Sequence, residues 1–104
     1  SAMQTAYLQD RTANTKLTYS PAAALNEVWH YGLGYWHECQ STSFNCAPTT
    51  RISSPGAYGA YPYWDRTKSY VGIVARQGAL GTFPRGVEIE RAVRSKVEAW
   101  AACK

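Results

Sequence analysis

The sequence lacks the features that would assign it at once to a membrane, nucleotide-binding or nucleic-acid-binding class. No apolar run is long enough to cross a membrane, and no glycine-rich loop precedes a helix as phosphate cradles require. The basic residues stand singly rather than in a tract, so the net charge of +4 favours an ordinary surface over a nucleic-acid interface. We therefore expect no membrane span, no nucleic-acid partner and no cofactor.

Residues suited to catalysis are also scarce. The chain has 2 histidines, His30 and His37, and 7 carboxylates that form no close group in the sequence. An odd number of positions separates the histidines within a predicted strand, which would point them to opposite faces of a sheet. No metal site is predicted, and composition and spacing alone reveal no complete catalytic site.

The 3 cysteines leave at least one without a partner in the chain. Residues 40–45 separate Cys39 from Cys46, a spacing that a disulfide can bridge. One alternative is that both cysteines are free thiols. Another is a metal site that includes His37, but this set has too few ligands, and its spacing is typical of no zinc motif. A disulfide would indicate an oxidising compartment, so we expect a periplasmic or secreted protein. Cys103 is expected to be a buried thiol on the last helix.

What the sequence does contain is enough apolar and aromatic material for one small core. The chain has 104 residues, of which 45% are hydrophobic and 13% aromatic. This composition excludes a disordered chain, and the length allows one domain. Residues 1–3 read as the remnant of a cleaved tag, which leaves residues 4–104 as a single domain.

Hydrophobic patterning predicts several strands in the middle of the chain. Strands are expected at residues 29–38, 51–54, 61–65 and 69–76. The last of them is an almost continuous apolar run and is predicted to be the best core strand. Ser20 and Pro21 predict the start of a short helix, or else an irregular approach to the sheet.

The C-terminal segment is the clearest helix. Its apolar residues recur at helical intervals, on a face formed by Val87, Ile89, Ala92, Val93, Val97, Trp100 and Cys103. Glu90 and Arg94 are expected to pair on the solvated side. Because one face of an antiparallel sheet is available for a covering helix, we predict an α+β fold: an antiparallel sheet of at least three strands covered by a C-terminal helix.

Two segments resemble a known family. They are Tyr31-Gly32-Leu33-Gly34-Tyr35-Trp36 and Ser53-Ser54-Pro55-Gly56-Ala57-Tyr58-Gly59. Their spacing and the terminal helix are similar to the C-terminal portion of the serine β-lactamase and penicillin-binding-protein-like hydrolases, in the class C-like branch. The resemblance covers residues from about Tyr19 to Ala102, and it implies that residues 4–104 are a C-terminal subdomain of a larger protein.

The resemblance implies a role for each residue of the second segment. The family's third active-site motif, Lys-Thr-Gly or His-Ser-Gly, falls on Ser54, Pro55 and Gly56, which would contact substrate. Gly56 would leave the strand edge bare for the substrate backbone, and the peptide N–H of Ala57 would be one donor of the oxyanion hole. Gly59 would permit the turn that follows.

The sequence departs from the family at two positions of that motif. Ser54 stands where the family has a cation, and Pro55 stands where it has a hydroxyl, so the usual anchor for a carboxylate is missing. These departures favour a small neutral ester or amide substrate, or a protein without activity, over efficient β-lactam hydrolysis.

The family's nucleophile motif Ser-x-x-Lys and its Tyr-x-Asn or Tyr-x-Ser motif are both absent from these residues. Acyl transfer needs a nucleophile beside its base, so this chain alone should be inactive. The expected partner is the upstream part of the same protein. Without that part the chain should expose apolar surface and form a homodimer or a strand swap.

A different class of function fits the composition as well. A stand-alone binding or structural module of the periplasm or cell surface would use exposed aromatic residues, for which the sequence offers Tyr58, Tyr61, Tyr63 and Trp64. A third reading is single-stranded nucleic-acid binding by stacking, for which core packing is a simpler explanation of the same aromatic residues.

Overall fold

Helices and strands follow one another from a short N-terminal helix to a long C-terminal one. The computed structural model describes residues 1–103, except for the side chains at positions 4 and 6. Helix α1 spans Ala2–Tyr7, and 3-10 helices span Thr12–Asn14 and Pro21–Leu25. The remaining elements are β1 (His30–Tyr31), β2 (Trp36–His37), β3 (Arg51–Ser53), β4 (Tyr61–Asp65), β5 (Tyr70–Val74) and α2 (Phe83–Ala101).

The strands of the described chain form one antiparallel sheet in the order β1-β2-β3-β4-β5, so each pairs with its neighbours in sequence. Helix α2 lies against β4, β5 and the 3-10 helix Pro21–Leu25. That short helix begins as predicted, because the Ser20 hydroxyl accepts a hydrogen bond from the Ala22 N–H at 3.3 Å. The α+β fold with an antiparallel sheet and a C-terminal helix is thereby confirmed.

The core lies between α2, the short helix and the near face of the sheet. It consists of Ala22, Trp29, Tyr61, Tyr63 and Val87. Strand β4 alternates strictly, so its odd-numbered residues are buried while Pro62 and Trp64 are exposed. The prediction that Tyr61 and Tyr63 are exposed is therefore wrong.

The predicted strand 29–38 is instead a hairpin. Its chain reverses after β1, where the Gly32 N–H donates to the Tyr35 carbonyl at 2.9 Å. Gly34 has a φ of 82°, a left-handed conformation that glycine adopts without steric cost. The glycines of this segment therefore mark a turn, and His30 lies directly opposite His37 in the β1–β2 register.

Strand β5 is shorter than predicted and is not the best core strand. Val71 and Ile73 are 76% and 64% exposed, while Tyr70 and Val74 pack against the core. The apolar run was continuous because both faces of this edge strand carry apolar residues, but α2 covers only one of them.

The face of α2 that meets the sheet differs from the predicted one. Helix α2 begins at Phe83, with Pro84 in its first turn, and Val87 and Glu90 are buried. The expectation that Glu90 lies on the solvated side is wrong, although its predicted pair with Arg94 is present at 2.6 Å. Cys103 is an exposed free thiol, so the prediction of a buried one is also wrong.

Candidate functional site

The end of β3 leads into a tight hairpin loop that contains Ser54, Pro55, Gly56 and Ala57, the site residues expected from the sequence resemblance. The N–H groups of Ser54 and Gly56 donate to carbonyls of the β4 side, to Pro62 at 3.1 Å and Ala60 at 2.8 Å. The Gly59 N–H then donates to the Gly56 carbonyl at 2.9 Å and closes a turn. Gly59 has a φ of 96°, which agrees with the need for glycine after a tight turn of this kind.

Ala57 is the first central residue of this turn, and of its two backbone polar groups only the carbonyl has a hydrogen-bond partner within the described residues. The Ala57 carbonyl accepts a hydrogen bond from the Gly81 N–H at 2.8 Å. Its own N–H has no acceptor among residues 1–103, and the residue is exposed. Pro55 has no N–H, and the N–H groups of Gly56 and Gly59 are engaged, so within the described residues the Ala57 and Tyr58 amides are the donors that this turn can offer to a ligand.

The loop 77–82 holds the turn in place through hydrogen bonds to its carbonyl groups. The Gly78 N–H donates to the Tyr58 carbonyl at 2.6 Å, and Arg76 Nη1 donates to the same carbonyl at 3.2 Å. Arg76 also donates to the Thr82 hydroxyl at 2.8 Å. The Ala57 N–H belongs to the same peptide group as the Gly56 carbonyl, so its direction is fixed by the Gly59 hydrogen bond to that carbonyl, while residues 76–82 hold the two peptide groups that follow.

A groove of about 370 Å³ opens beside this turn. Its lining residues come from four segments and are Tyr19, Pro21, Trp36, Pro55, Ala57, Leu80, Gly81 and Phe83. No charged side chain of the described residues is among them. The groove therefore combines aromatic walls with the turn that carries Ala57, and apolar walls beside a polar backbone are common in small-molecule sites.

The predicted site residues divide between two faces of the sheet. Pro55 and Ala57 line the groove, and Gly56 lies between them in the chain. Ser54 lines a different hollow of about 350 Å³ with Trp64 and Val71 on the far face. Trp36 and Phe83 were missed as site residues because nothing in a single sequence indicates that β2 and the start of α2 meet beside the turn.

Cys39 and Cys46 form a disulfide that closes the loop after β2. The loop is further held by Val28, whose N–H donates to the Ser41 carbonyl at 2.9 Å. Within residues 1–103 no group of three His, Cys, Asp or Glu side chains is arranged to hold a metal ion. The disulfide is therefore a structural element of this edge of the sheet.

The two histidines lie side by side, so the prediction that they point to opposite faces is wrong. His30 pairs with the Asp10 carboxylate and stacks on the Phe44 ring at 3.5 Å between centroids. His37 is buried, and its Nδ1 lies 2.7 Å from the Thr49 hydroxyl. Burial lowers the pKa of His37 below its ordinary value.

The carboxylates also form a constellation that the sequence did not reveal. Arg51 on β3 pairs with Glu90 at 2.7 Å and with Asp65 at 3.0 Å, in the interior between sheet and helix. Beside them the buried Glu38 carboxyl accepts from the Tyr61 hydroxyl, and burial raises the pKa of Glu38. These groups are paired with one another, which indicates a structural role for the network.

No family model, curated protein or solved structure matches this chain. None of the helices in the described part of the chain is long and apolar enough to span a membrane.

Proposed function

We propose that this chain is the C-terminal part of a β-lactamase-like serine hydrolase and that it supplies one donor of the oxyanion hole. The observation that carries the proposal is the Ala57 N–H, which has no acceptor within residues 1–103 and lies beside a groove of about 370 Å³. This amide belongs to the residue that the sequence resemblance matches to the family's oxyanion donor.

The chemistry would be acyl transfer. An upstream serine attacks the carbonyl carbon of an ester or amide, and the carbonyl oxygen gains negative charge as the tetrahedral intermediate forms. The Ala57 N–H donates to that oxygen, and its fixed direction avoids a reorganisation cost at the moment of reaction. The nucleophile, its base and the second donor come from the upstream part of the protein.

The substrate we propose is a small neutral ester or amide. Ser54, which replaces the family's cation, lines the hollow on the far face, and the groove beside Ala57 has no charged side chain among its described lining residues. A carboxylate in the substrate would therefore lose its hydration without gaining a cationic partner.

The upstream part of the protein is the partner we propose. Strand β5 has β4 on one side and, within the described residues, no strand on the other. Val71, Ile73 and Trp100 are exposed around a groove of about 590 Å³ between β5 and α2. Unprotected apolar edges of this kind are normally covered in a working protein, which supports a further partner here.

A periplasmic or secreted location accompanies this proposal. The disulfide between Cys39 and Cys46 supports it, because disulfides persist in oxidising compartments and are rare in the cytosol.

The first test is to read the coding sequence upstream of residue 4. The proposal requires an open frame with Ser-x-x-Lys and Tyr-x-Asn motifs, and a start codon or signal peptide just upstream would contradict it. Ester and β-lactam hydrolysis would then be assayed on the full-length protein.

The role of Ala57 is tested in that full-length protein by Ala57→Pro. Proline is favoured at the first central position of common turns, so it should remove the N–H and keep the turn. We expect kcat to fall about 10²- to 10³-fold, the usual loss of one oxyanion donor. Ala57→Gly keeps the N–H and is the matched control, for which we expect nearly unchanged kcat. Equal activity of both variants would contradict the assigned role.

The second candidate is a stand-alone binding module, favoured by the same exposed apolar surface on β5 and α2. Of the aromatic residues proposed for it, Tyr58 and Trp64 are exposed and remain available. Alanine at these two positions should abolish partner binding and leave the circular dichroism spectrum unchanged. The upstream sequence separates this candidate from the hydrolase.

A further inference from the structure

We propose that the groove beside Ala57 binds an uncharged aromatic group of the substrate, whose carbonyl oxygen accepts from the Ala57 N–H. This inference rests on the proposed function, because it names the part of the substrate that the hydrolase would recognise through this chain.

The walls of the groove are aromatic and come from separated parts of the chain. Tyr19 and Phe83 meet edge to face with ring centroids 5.6 Å apart, and Trp36 lines the groove from β2. Aromatic faces and edges are well suited to contact another flat apolar group. The volume of about 370 Å³ falls within the range of small-molecule pockets and is ample for one substituted ring.

Part of this apolar lining remains in contact with water. Leu80 and Tyr19 are 72% and 60% exposed. Covering them with a ligand group would remove apolar surface from water, which favours binding. These two side chains are left uncovered by the rest of the described chain, so binding an apolar ligand group over them is favourable.

The polar groups beside the groove favour a neutral hydrogen-bond acceptor over an anion. The Ala57 N–H lacks an acceptor within the described residues, whereas the nearby Arg76 guanidinium is engaged by the Tyr58 carbonyl and the Thr82 hydroxyl. Arg76 does not line the groove. A neutral carbonyl satisfies the amide, while a carboxylate would be desolvated without a cation to pair with.

The test uses this chain and three small probes in ¹⁵N-labelled NMR titrations. Phenylacetamide has the ring and the carbonyl, acetamide has the carbonyl alone, and phenylacetate adds a negative charge. We expect phenylacetamide to shift the Ala57 amide and the Trp36 indole signals, and the other two probes to bind at least about tenfold more weakly.

Leu80→Asp should weaken phenylacetamide binding at least about tenfold, because it places a charge at the mouth of the groove. Leu33→Asp, at another exposed leucine in the β1–β2 turn, is the control and should bind like the unsubstituted chain. Circular dichroism of both variants confirms that they are folded.

Three results would overturn the inference: no shift with phenylacetamide, equal binding of phenylacetate, or equal binding by both aspartate variants. These outcomes are independent of the upstream sequence. If the probe binds and no Ser-x-x-Lys motif lies upstream, the pocket stands and the hydrolase proposal fails. If Ala57→Pro inactivates the full-length enzyme but the probe does not bind, the hydrolase stands and the pocket fails.

Discussion

At the residue scale, the Glu90 carboxylate stands at a buried position of α2, where the amphipathic pattern of the helix would place an apolar side chain. It is 1% exposed and accepts from Arg51 Nη1 at 2.7 Å and from Arg94 Nη2 at 2.6 Å. Arg51 in turn donates to Asp65 at 3.0 Å. Since these charges are largely removed from water, each depends on its partners far more than a surface pair does.

Replacing Glu90 by alanine should therefore destabilise the fold strongly. The change leaves Arg51 without its shortest ion pair, and we expect a loss of about 3–5 kcal/mol in the free energy of unfolding. Urea denaturation followed by tryptophan fluorescence measures it. Glu88→Ala is the control on the same helix, because Glu88 and Arg85 form an exposed pair that should contribute less than about 1 kcal/mol. Similar losses for both variants would contradict the argument.

His37 gives the fold a dependence on pH. Burial is the main cause that lowers its pKa from the ordinary 6.5, and the charges that face it are Asp10, Arg66 and His30. The unfolded chain therefore binds a proton at a higher pH than the folded chain does. The folded state is fully favoured above the unfolded pKa and loses stability as the pH falls below it.

We expect the melting temperature to fall between about pH 7.5 and pH 5.5, as proton uptake by the unfolded state increases. His37→Gln should flatten this part of the profile, because it removes the group that titrates. Differential scanning fluorimetry across the pH range measures both proteins. A slope that survives unchanged in His37→Gln would show that another group is responsible.

At the scale of elements, the disulfide organises the loop between β2 and β3. It joins Cys39 to Cys46, seven positions apart, and the loop brings the Phe44 ring onto His30 at 3.5 Å between centroids. The loop thus covers the ring of His30 on β1 as well as following β2 in the chain. Because a cross-link restricts the unfolded chain, the loop should contribute to stability even though it is short.

Replacing both Cys39 and Cys46 by serine should lower the free energy of unfolding by about 2–3 kcal/mol, the loss expected for a loop of this length. Chemical denaturation under non-reducing conditions measures it. Cys103→Ser is the control, because that thiol is free and exposed, and it should change stability by less than about 0.5 kcal/mol. An effect of Cys103→Ser as large as that of the double variant would refute the pairing.

At the scale of the whole molecule, strand β5 is an edge of the sheet that no other part of the described chain protects. Strand β5 carries Val71 and Ile73 with no charge or proline, and Trp100 of α2 is 79% exposed near it. Natural proteins usually protect edge strands with charges, bulges or covering elements. This edge is where an added strand would gain both backbone hydrogen bonds and apolar burial.

The isolated chain should therefore associate through β5, as a dimer or a strand swap. Ile73→Lys should make it monomeric, because a charge on the edge opposes pairing with another strand. Size-exclusion chromatography with light scattering measures the mass. Leu33→Lys adds the same charge at an exposed leucine away from β5 and should remain associated. A monomeric unsubstituted chain would contradict the prediction.

The sequence was most informative where one local signal dominated. The Ser20 cap and the helical spacing of α2 depend on neighbouring residues, and they were recognisable without a structure. The β1–β2 hairpin was misread because glycine in an aromatic run is compatible with both a strand and a turn. Only the left-handed conformation of Gly34 decides between them.

By itself the sequence determined the fold class, because apolar runs in the middle of the chain and helical spacing at its end distinguish strands from a helix whichever face is buried. Only the tertiary structure decided which faces are covered: it buried Glu90 against Arg51, exposed Val71, and brought Trp36 and Phe83 beside Ala57. The physical reason is that burial and pocket formation depend on contacts between residues distant in sequence, which periodicity within one segment cannot specify.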